Sequence, residues 1–136
     1  MEHLLRTIDN LSVNEKIIMS FRKAPNGASL SFKKISEILK WQVGNVWSHE
    51  RNAQRKIIDH AYWYKILCDK LETLERSNDG CISIRDLEEK DKCFAGSSKE
   101  LHLLRYFVRL ASSENADIGV IRGEAHLIFQ NCRFGN

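Results

Sequence analysis

Three short runs of apolar residues at helical spacing follow one another between residues 12 and 58, with only a few residues between them. Ser12-Val13-Asn14-Glu15 is a capping box, a pattern that begins a helix, and Pro25-Asn26-Gly27 predicts the turn that ends it. Ser31 is placed to cap a second helix, and residues 40–42 predict a tight turn before a third helix that begins at Val43. This pattern restricts the region to a small three-helix unit.

A similar pattern returns after the turn at residues 77–80. Residues 82–87 (ISIRDL) match residues 30–35 (LSFKKI) in character, because both read apolar, Ser, apolar, basic, variable, apolar. Each predicts a short strand or strand bridge followed by a Ser-capped helix. A helix over about 61–75 precedes the second copy. A second capping box, Ser97-Ser98-Lys99-Glu100, predicts a long helix over 98–111, and residues 118–129 predict a β-hairpin that turns at 122–124.

This element order predicts a mainly α protein with less than about 20% strand. We expect two helix-turn-helix-like units packed together: a basic unit over 1–60, and a connecting helix with a winged-helix-like unit over 61–136 that ends in the hairpin. A chain of 136 residues with 43% apolar content also fits one compact domain overall. The predicted core is Ile17, Phe21, Ile35, Leu39, Val46, Ile57, Leu71, Leu74, Leu87, Leu101, Leu104 and Val108.

Charge is distributed unevenly between the two parts. From Lys16 to Lys56 the chain has nine Lys and Arg residues against two acids, a balance of +7, which leaves −4 for the rest of a chain of net charge +3. Such asymmetry favours a polyanionic partner for the basic part, although solvated helix faces are often basic as well.

The predicted elements follow one order: helix, short strand with a Ser cap, helix, tight turn, longer helix and hairpin. This is the element order of the winged helix-turn-helix superfamily. The second half, over about 64–129, resembles that superfamily throughout, and residues 12–58 resemble its three-helix core without a wing. The resemblance implies DNA-reading helices at 43–58 and 98–111, which would enter a major groove with their outward residues toward the bases.

The outward residues of the helix at 43–58 are of types that suit this role, since Asn pairs with adenine edges and Arg with guanine edges. Arg122, at the hairpin tip, matches the place where a wing reaches a minor groove or a phosphate. A solvated helix face and an ordinary exposed turn are the alternative interpretations. The predicted DNA-binding residues are Lys33, Lys34, Asn45, Ser48, His49, Arg51, Asn52, Arg55, Lys56 and Arg122.

The second unit fits DNA less well. Its long helix carries a basic stripe, but the helix is apolar on two sides, which favours a role in the core or in a dimer contact. The acids Asp86, Glu88, Glu89 and Asp91 lie on or next to its short helix, where they would oppose phosphate. We therefore expect this half to be the one that binds a protein partner. The basic stripe consists of Lys99, His102, Arg105 and Arg109.

Motifs for catalysis, cofactors and metals are missing. The chain has no GxSxG, GxxxxGK[ST], GxGxxG or HExxH, its five histidines are scattered, and its four cysteines form no CxxC. Cys81 and Cys132 are the only candidates for a nucleophilic thiol. We expect no enzyme activity, no cofactor and no metal. With no apolar run of membrane length and no signal-peptide pattern, we expect a cytoplasmic protein with no membrane partner.

An aromatic stretch follows the basic helices. Trp41, Trp47 and the residues Tyr62, Trp63 and Tyr64 predict an interface between subdomains or protomers, with stacking on single-stranded bases as the alternative. Together the sequence predicts a small DNA-binding protein, a transcriptional regulator that reads duplex DNA as a homodimer. The alternative is a protein-binding adaptor or inhibitor that uses a helix-turn-helix scaffold without nucleic acid.

Overall fold

The computed structural model describes residues 1–60, 62–77 and 80–130. The described chain is 69% helical. It consists of two helix-turn-helix-like units packed together, and a β-hairpin completes the second, as predicted. The turn predicted at 77–80 lies largely outside the described residues, as does Cys132. Among the described residues, no helix is both long and apolar enough to cross a bilayer.

The first unit contains helices α1 (Glu2–Asp9), α2 (Val13–Lys23), α3 (Phe32–Leu39) and α4 (Val43–His60). The predicted capping box is present at the start of α2: the Glu15 amide donates to Ser12 Oγ at 3.2 Å and the Ser12 amide donates to Glu15 Oε1 at 3.0 Å. Ser31 caps α3 by accepting from the Lys34 amide at 3.0 Å. Helix α1 was not predicted, and it anchors to the core through Leu4.

The strand bridge predicted at 30–32 is wrong. A 3-10 turn, Gly27–Ser29, precedes α3, and Phe32 is already helical. The Arg22 guanidinium donates to the carbonyls of Gly27 and Leu30 at 2.6 and 2.7 Å, so these acceptors are bound by a side chain instead of by a strand. A side chain at Gly27 would place its Cβ 2.1 Å from the Phe21 carbonyl oxygen, which explains the glycine here.

The second unit contains α5 (Tyr62–Ser77), β1 (Cys81–Ser83), α6 (Ile84–Lys90), α7 (Leu101–Ala111), β2 (Ala116–Ile121) and β3 (Glu124–Phe129). The three strands form an antiparallel sheet in the order β1-β3-β2. Ser83 caps α6, which repeats the role of Ser31. Arg122 and Gly123 make the hairpin turn with φ of 52° and 80°, the left-handed pair that matches strand twist.

The second predicted capping box is absent. Residues 97–99 form a 3-10 turn, α7 begins only at Leu101, and its N-cap residue makes no side-chain hydrogen bond. The Ser98 amide donates instead to the carboxylate of Glu88 on α6. Ser97 is fully buried, and its hydroxyl has no hydrogen-bond partner among the described residues. The Glu100 amide, which the capping box would join to the Ser97 hydroxyl, donates instead to the Ser97 carbonyl at 3.1 Å.

Most of the predicted core is buried or packs against the buried cluster. Ile35, Val46, Ile57, Leu71, Leu87, Leu104 and Val108 are buried, and Phe21, Leu39, Leu74 and Leu101 are partly buried against them. Ile17 is the exception, because it is only partly buried, whereas its neighbour Ile18 is fully buried. The helical period allowed either residue to face inward, and packing against α4 selects Ile18.

The two units meet through a buried polar network. Arg22 of α2 donates to Glu50 of α4 at 2.7 Å, and both side chains are about 5% exposed or less. The same guanidinium lies 5.3 Å from the ring centroid of Tyr106 on α7, whose hydroxyl accepts from Gln54. We call these four residues the inter-unit network. Helix α7 thus packs against the first unit as well as against α5 and β2.

Candidate nucleic-acid interface

Helices α3 and α4 form the helix-turn-helix of the first unit. Lys40 ends α3 with a left-handed backbone, φ 58° and ψ 37°, which reverses the chain within residues 40–42. Ile35 and Val46, both fully buried, fasten the two helices to the core. Lys33 and Lys34 remain exposed on the first turn of α3. The tight turn and the buried residues therefore hold α3 and α4 together, and one side of α4 remains exposed.

The sides of α4 are set by the spacing of its buried residues. Val46, Glu50, Ala53 and Ile57 are buried and recur every three or four positions, which defines the inner side. Most of the residues between them point outward, whereas His49 and Gln54 are partly buried. We define the outer face of α4 as five exposed residues: Asn45, Ser48, Arg51, Asn52 and Arg55.

Two further residues that were predicted to bind DNA already contact other side chains of the protein. His49 is partly buried and its ring lies 5.6 Å from that of Trp41. The Lys56 ammonium bonds the Glu15 carboxylate at 2.7 and 3.1 Å. Burial alone would raise the pKa of Glu15, but the hydrogen bonds from Lys56 and Ser12 outweigh it and lower that pKa. Lys56 is therefore held against α2, at the edge of the outer face.

Sequence analysis missed one contact on α4. The Arg51 guanidinium carbon lies 5.5 Å from the ring centroid of Trp47, and both residues are exposed. The signal was present, since residues four apart on a helix are neighbours. The contact was missed because Trp47 was interpreted together with the other aromatic residues, as part of an interface.

The arginines of α4 differ in their partners from the arginines on the helices of the second unit. Within the described ranges, Arg51 and Arg55 of α4 make no ion pair, and neither do Lys33 and Lys34 of α3. Every arginine on the helices of the second unit is paired with a carboxylate. These pairs are Arg76–Glu72, Arg85–Glu124, Arg105–Asp117 and Arg109–Glu114, at 2.8 to 3.1 Å.

Helix α7, the counterpart of α4, serves as core. Leu103, Leu104, Phe107 and Val108 are buried, and only Lys99 and His102 of the predicted basic stripe are exposed. On α6, the acids Asp86 and Glu89 are exposed. The arginines of α7 are thus neutralised and the exposed acids of α6 are negative, which disfavours phosphate approach, and among the described residues of the stripe only Lys99 is an exposed lysine without an ion pair.

Arg122 lies where the sequence placed it, exposed at the tip of the hairpin. No hydrogen bond or ion pair within the described ranges joins it to α4. The structure therefore brings together the predicted residues of α3 and α4, and it leaves Arg122 as a separate position.

The aromatic stretch divides between core and surface. Trp63 is buried, donates to the Cys93 carbonyl at 2.9 Å and packs edge-on against Phe94. Tyr64 packs edge-on against Phe107, whereas Tyr62 is 75% exposed. Intramolecular packing thus accounts for Trp63 and Tyr64.

Over the same described ranges, no three His, Cys, Asp or Glu side chains are grouped to hold a metal ion. Cys68 and Cys93 are free thiols. Comparisons with protein-family models, curated proteins and solved structures find no match to this chain.

Proposed function

We propose that this protein binds duplex DNA through the outer face of α4, with Lys33 and Lys34 on α3 contacting phosphate. The observation that supports this is the contrast in arginine pairing, because Arg51 and Arg55 have no carboxylate partner among the described residues. Unpaired cations are available to replace counterions on DNA, whereas paired ones must first lose their own partners.

The outer face supplies both kinds of contact that DNA recognition needs. Asn45 and Asn52 carry amides that pair with adenine in a major groove, and Arg55 carries a guanidinium that binds guanine or phosphate. The winged helix-turn-helix resemblance supports the same pose, and it extends the proposal to a transcriptional regulator. In this pose the second unit supports α4 through the inter-unit network.

Fluorescence anisotropy with mixed duplexes, titrated at two salt concentrations, tests the proposal. We expect Arg55→Ala to weaken binding to all sequences and to flatten the salt slope by about one unit. Asn52→Ala should instead reduce discrimination, by about 1–3 kcal/mol at one base pair, with little change in slope.

Arg76→Ala provides the matched control. It removes one exposed arginine from α5, where the guanidinium pairs with Glu72 at 2.9 Å. We expect binding close to that of the unaltered protein. If Arg76→Ala weakens binding as much as Arg55→Ala, or if no duplex binds at about 50 mM salt, the proposed interface is wrong.

One observation favours a second candidate function, a protein-binding adaptor. Val43, Trp47 and Ile58 of α4 are 46%, 48% and 41% exposed, and exposed tryptophan beside arginine is typical of protein interfaces. Absence of duplex binding together with a folded protein would favour this candidate.

The proposed regulator would act as a homodimer, so that two copies of α4 meet two half-sites. Packing within the chain accounts for both apolar sides of α7, and Tyr62 is the residue of the run Tyr62-Trp63-Tyr64 left to contact a second copy. Light scattering on the unaltered protein should give the mass of two chains, and a monomer mass would contradict the dimer.

A further inference from the structure

Trp47 is unusual for a large aromatic residue because nearly half of its surface is exposed. Trp63, by contrast, is buried in the core. Trp47 contacts Arg51, whose guanidinium carbon lies 5.5 Å from the indole centroid. A stack with a cation gives an exposed indole a specific role, since the negative face of the ring attracts the charge.

The contact with the ring also restricts how Arg51 presents its hydrogen-bond donors. A guanidinium is planar and carries its five N–H donors in the plane. When one flat face lies against a ring, the N–H edge remains available to a phosphate or a base. The side chain then loses less rotational freedom on binding, because part of that freedom is already lost.

We propose that Trp47 is a positioning residue that holds the Arg51 guanidinium ready for a phosphate of the bound duplex. This inference rests on the proposed function. Phosphate is the expected contact because Arg51 lies to one side of the row formed by Asn45, Ser48 and Asn52 on the outer face. Trp47 acts through Arg51 and does not itself bind the duplex.

Arg55 supplies an internal comparison. It lies one turn beyond Arg51, is exposed, and has no ion pair or ring contact among the described residues. The residue four positions before it is Arg51, which is not aromatic. Loss of the Trp47 ring should therefore weaken the contact made by Arg51 and leave that of Arg55 unchanged.

A double-mutant cycle on the full chain tests this. Trp47→Leu, measured by anisotropy with mixed duplexes, should weaken binding by about two- to fivefold, the range expected for an exposed cation–π contact. In an Arg51→Ala background the same change should have almost no effect. In an Arg55→Ala background it should keep its full effect, because that background retains the stack.

Trp47→Phe separates positioning from packing. Phenylalanine keeps an aromatic face, so we expect affinity to return to within about twofold of the unaltered protein. If Trp47→Leu weakens binding equally in the presence and absence of Arg51, Trp47 contacts DNA directly and the inference is overturned. It is also overturned if Phe and Leu weaken binding alike.

A spectroscopic readout keeps this result separate from the proposed function. Trp47 is the most exposed of the three tryptophans, since Trp41 is partly buried and Trp63 is buried, so a surface quencher of fluorescence reports mainly on it. Arg51→Ala should increase quenching, whereas Arg55→Ala should not, and equal quenching in both would refute the stack. Failure of the unaltered protein to bind duplex would instead refute the DNA interface, and with it the phosphate contact of Arg51.

Discussion

Replacing Glu50 with Ala tests the inter-unit network most directly. The Glu50 carboxylate lies 2.7 Å from Nε of Arg22, and each side chain is about 5% exposed or less. Removing it leaves a buried guanidinium with the carbonyls of Gly27 and Leu30 and the ring of Tyr106. Breaking a buried pair by removing one partner costs about 3–5 kcal/mol. Because two hydrogen bonds to Arg22 remain, we expect a loss of about 3 kcal/mol.

Urea unfolding followed by circular dichroism measures this loss. With a slope of about 2 kcal/mol per molar urea, the midpoint should fall by about 1.5 M. Arg22→Met combined with Glu50→Leu should restore part of the stability, because no charge then remains buried.

The Arg6–Glu2 pair is the control, since its side chains are 66% and 76% exposed. Glu2→Ala should cost no more than about 0.5 kcal/mol. A loss below about 1 kcal/mol for Glu50→Ala would refute the argument that this buried pair stabilises the packing of α2 against α4.

Three further measurements test the packing. Leu104→Ala should cost about 2–5 kcal/mol in the same urea assay, because Leu104 is fully buried, and a cost near zero would contradict a packed α7. Contacts with Lys56 and Ser12 lower the pKa of Glu15 in the folded state, so its carboxylate stabilises the fold above about pH 4.5 and loses this effect as pH falls. The difference in unfolding free energy between the unaltered protein and Glu15→Gln should therefore shrink below that pH, and a constant difference would contradict the contact. Burial raises the pKa of Tyr64 from 10 to about 12, so the folded state favours the neutral phenol and loses stability as pH rises through this range. Tyr64→Phe should show a weaker alkaline loss than the unaltered protein, and an equal loss would show that Tyr64 does not contribute.

The sequence by itself determined the elements whose signals act within a few residues. The capping box of α2, the serine caps of α3 and α6, and the Arg122-Gly123 turn were all predicted where the structure has them. Each signal joins a side chain or a backbone conformation to groups at most three residues away. The helices of α3 and α4, their exposed outer face and the hairpin follow from such signals.

The tertiary structure decided which predicted residues are available. Lys56 is bound by Glu15, 41 residues before it, and Arg22 is paired with Glu50, 28 residues after it. The second capping box is absent, and the packing of α6 brings the Glu88 carboxylate to the neighbouring Ser98 amide. A pattern in the sequence specifies a charge and the side of a helix on which it lies. Whether that charge is paired depends on which distant segment packs against it, and only the folded chain determines this.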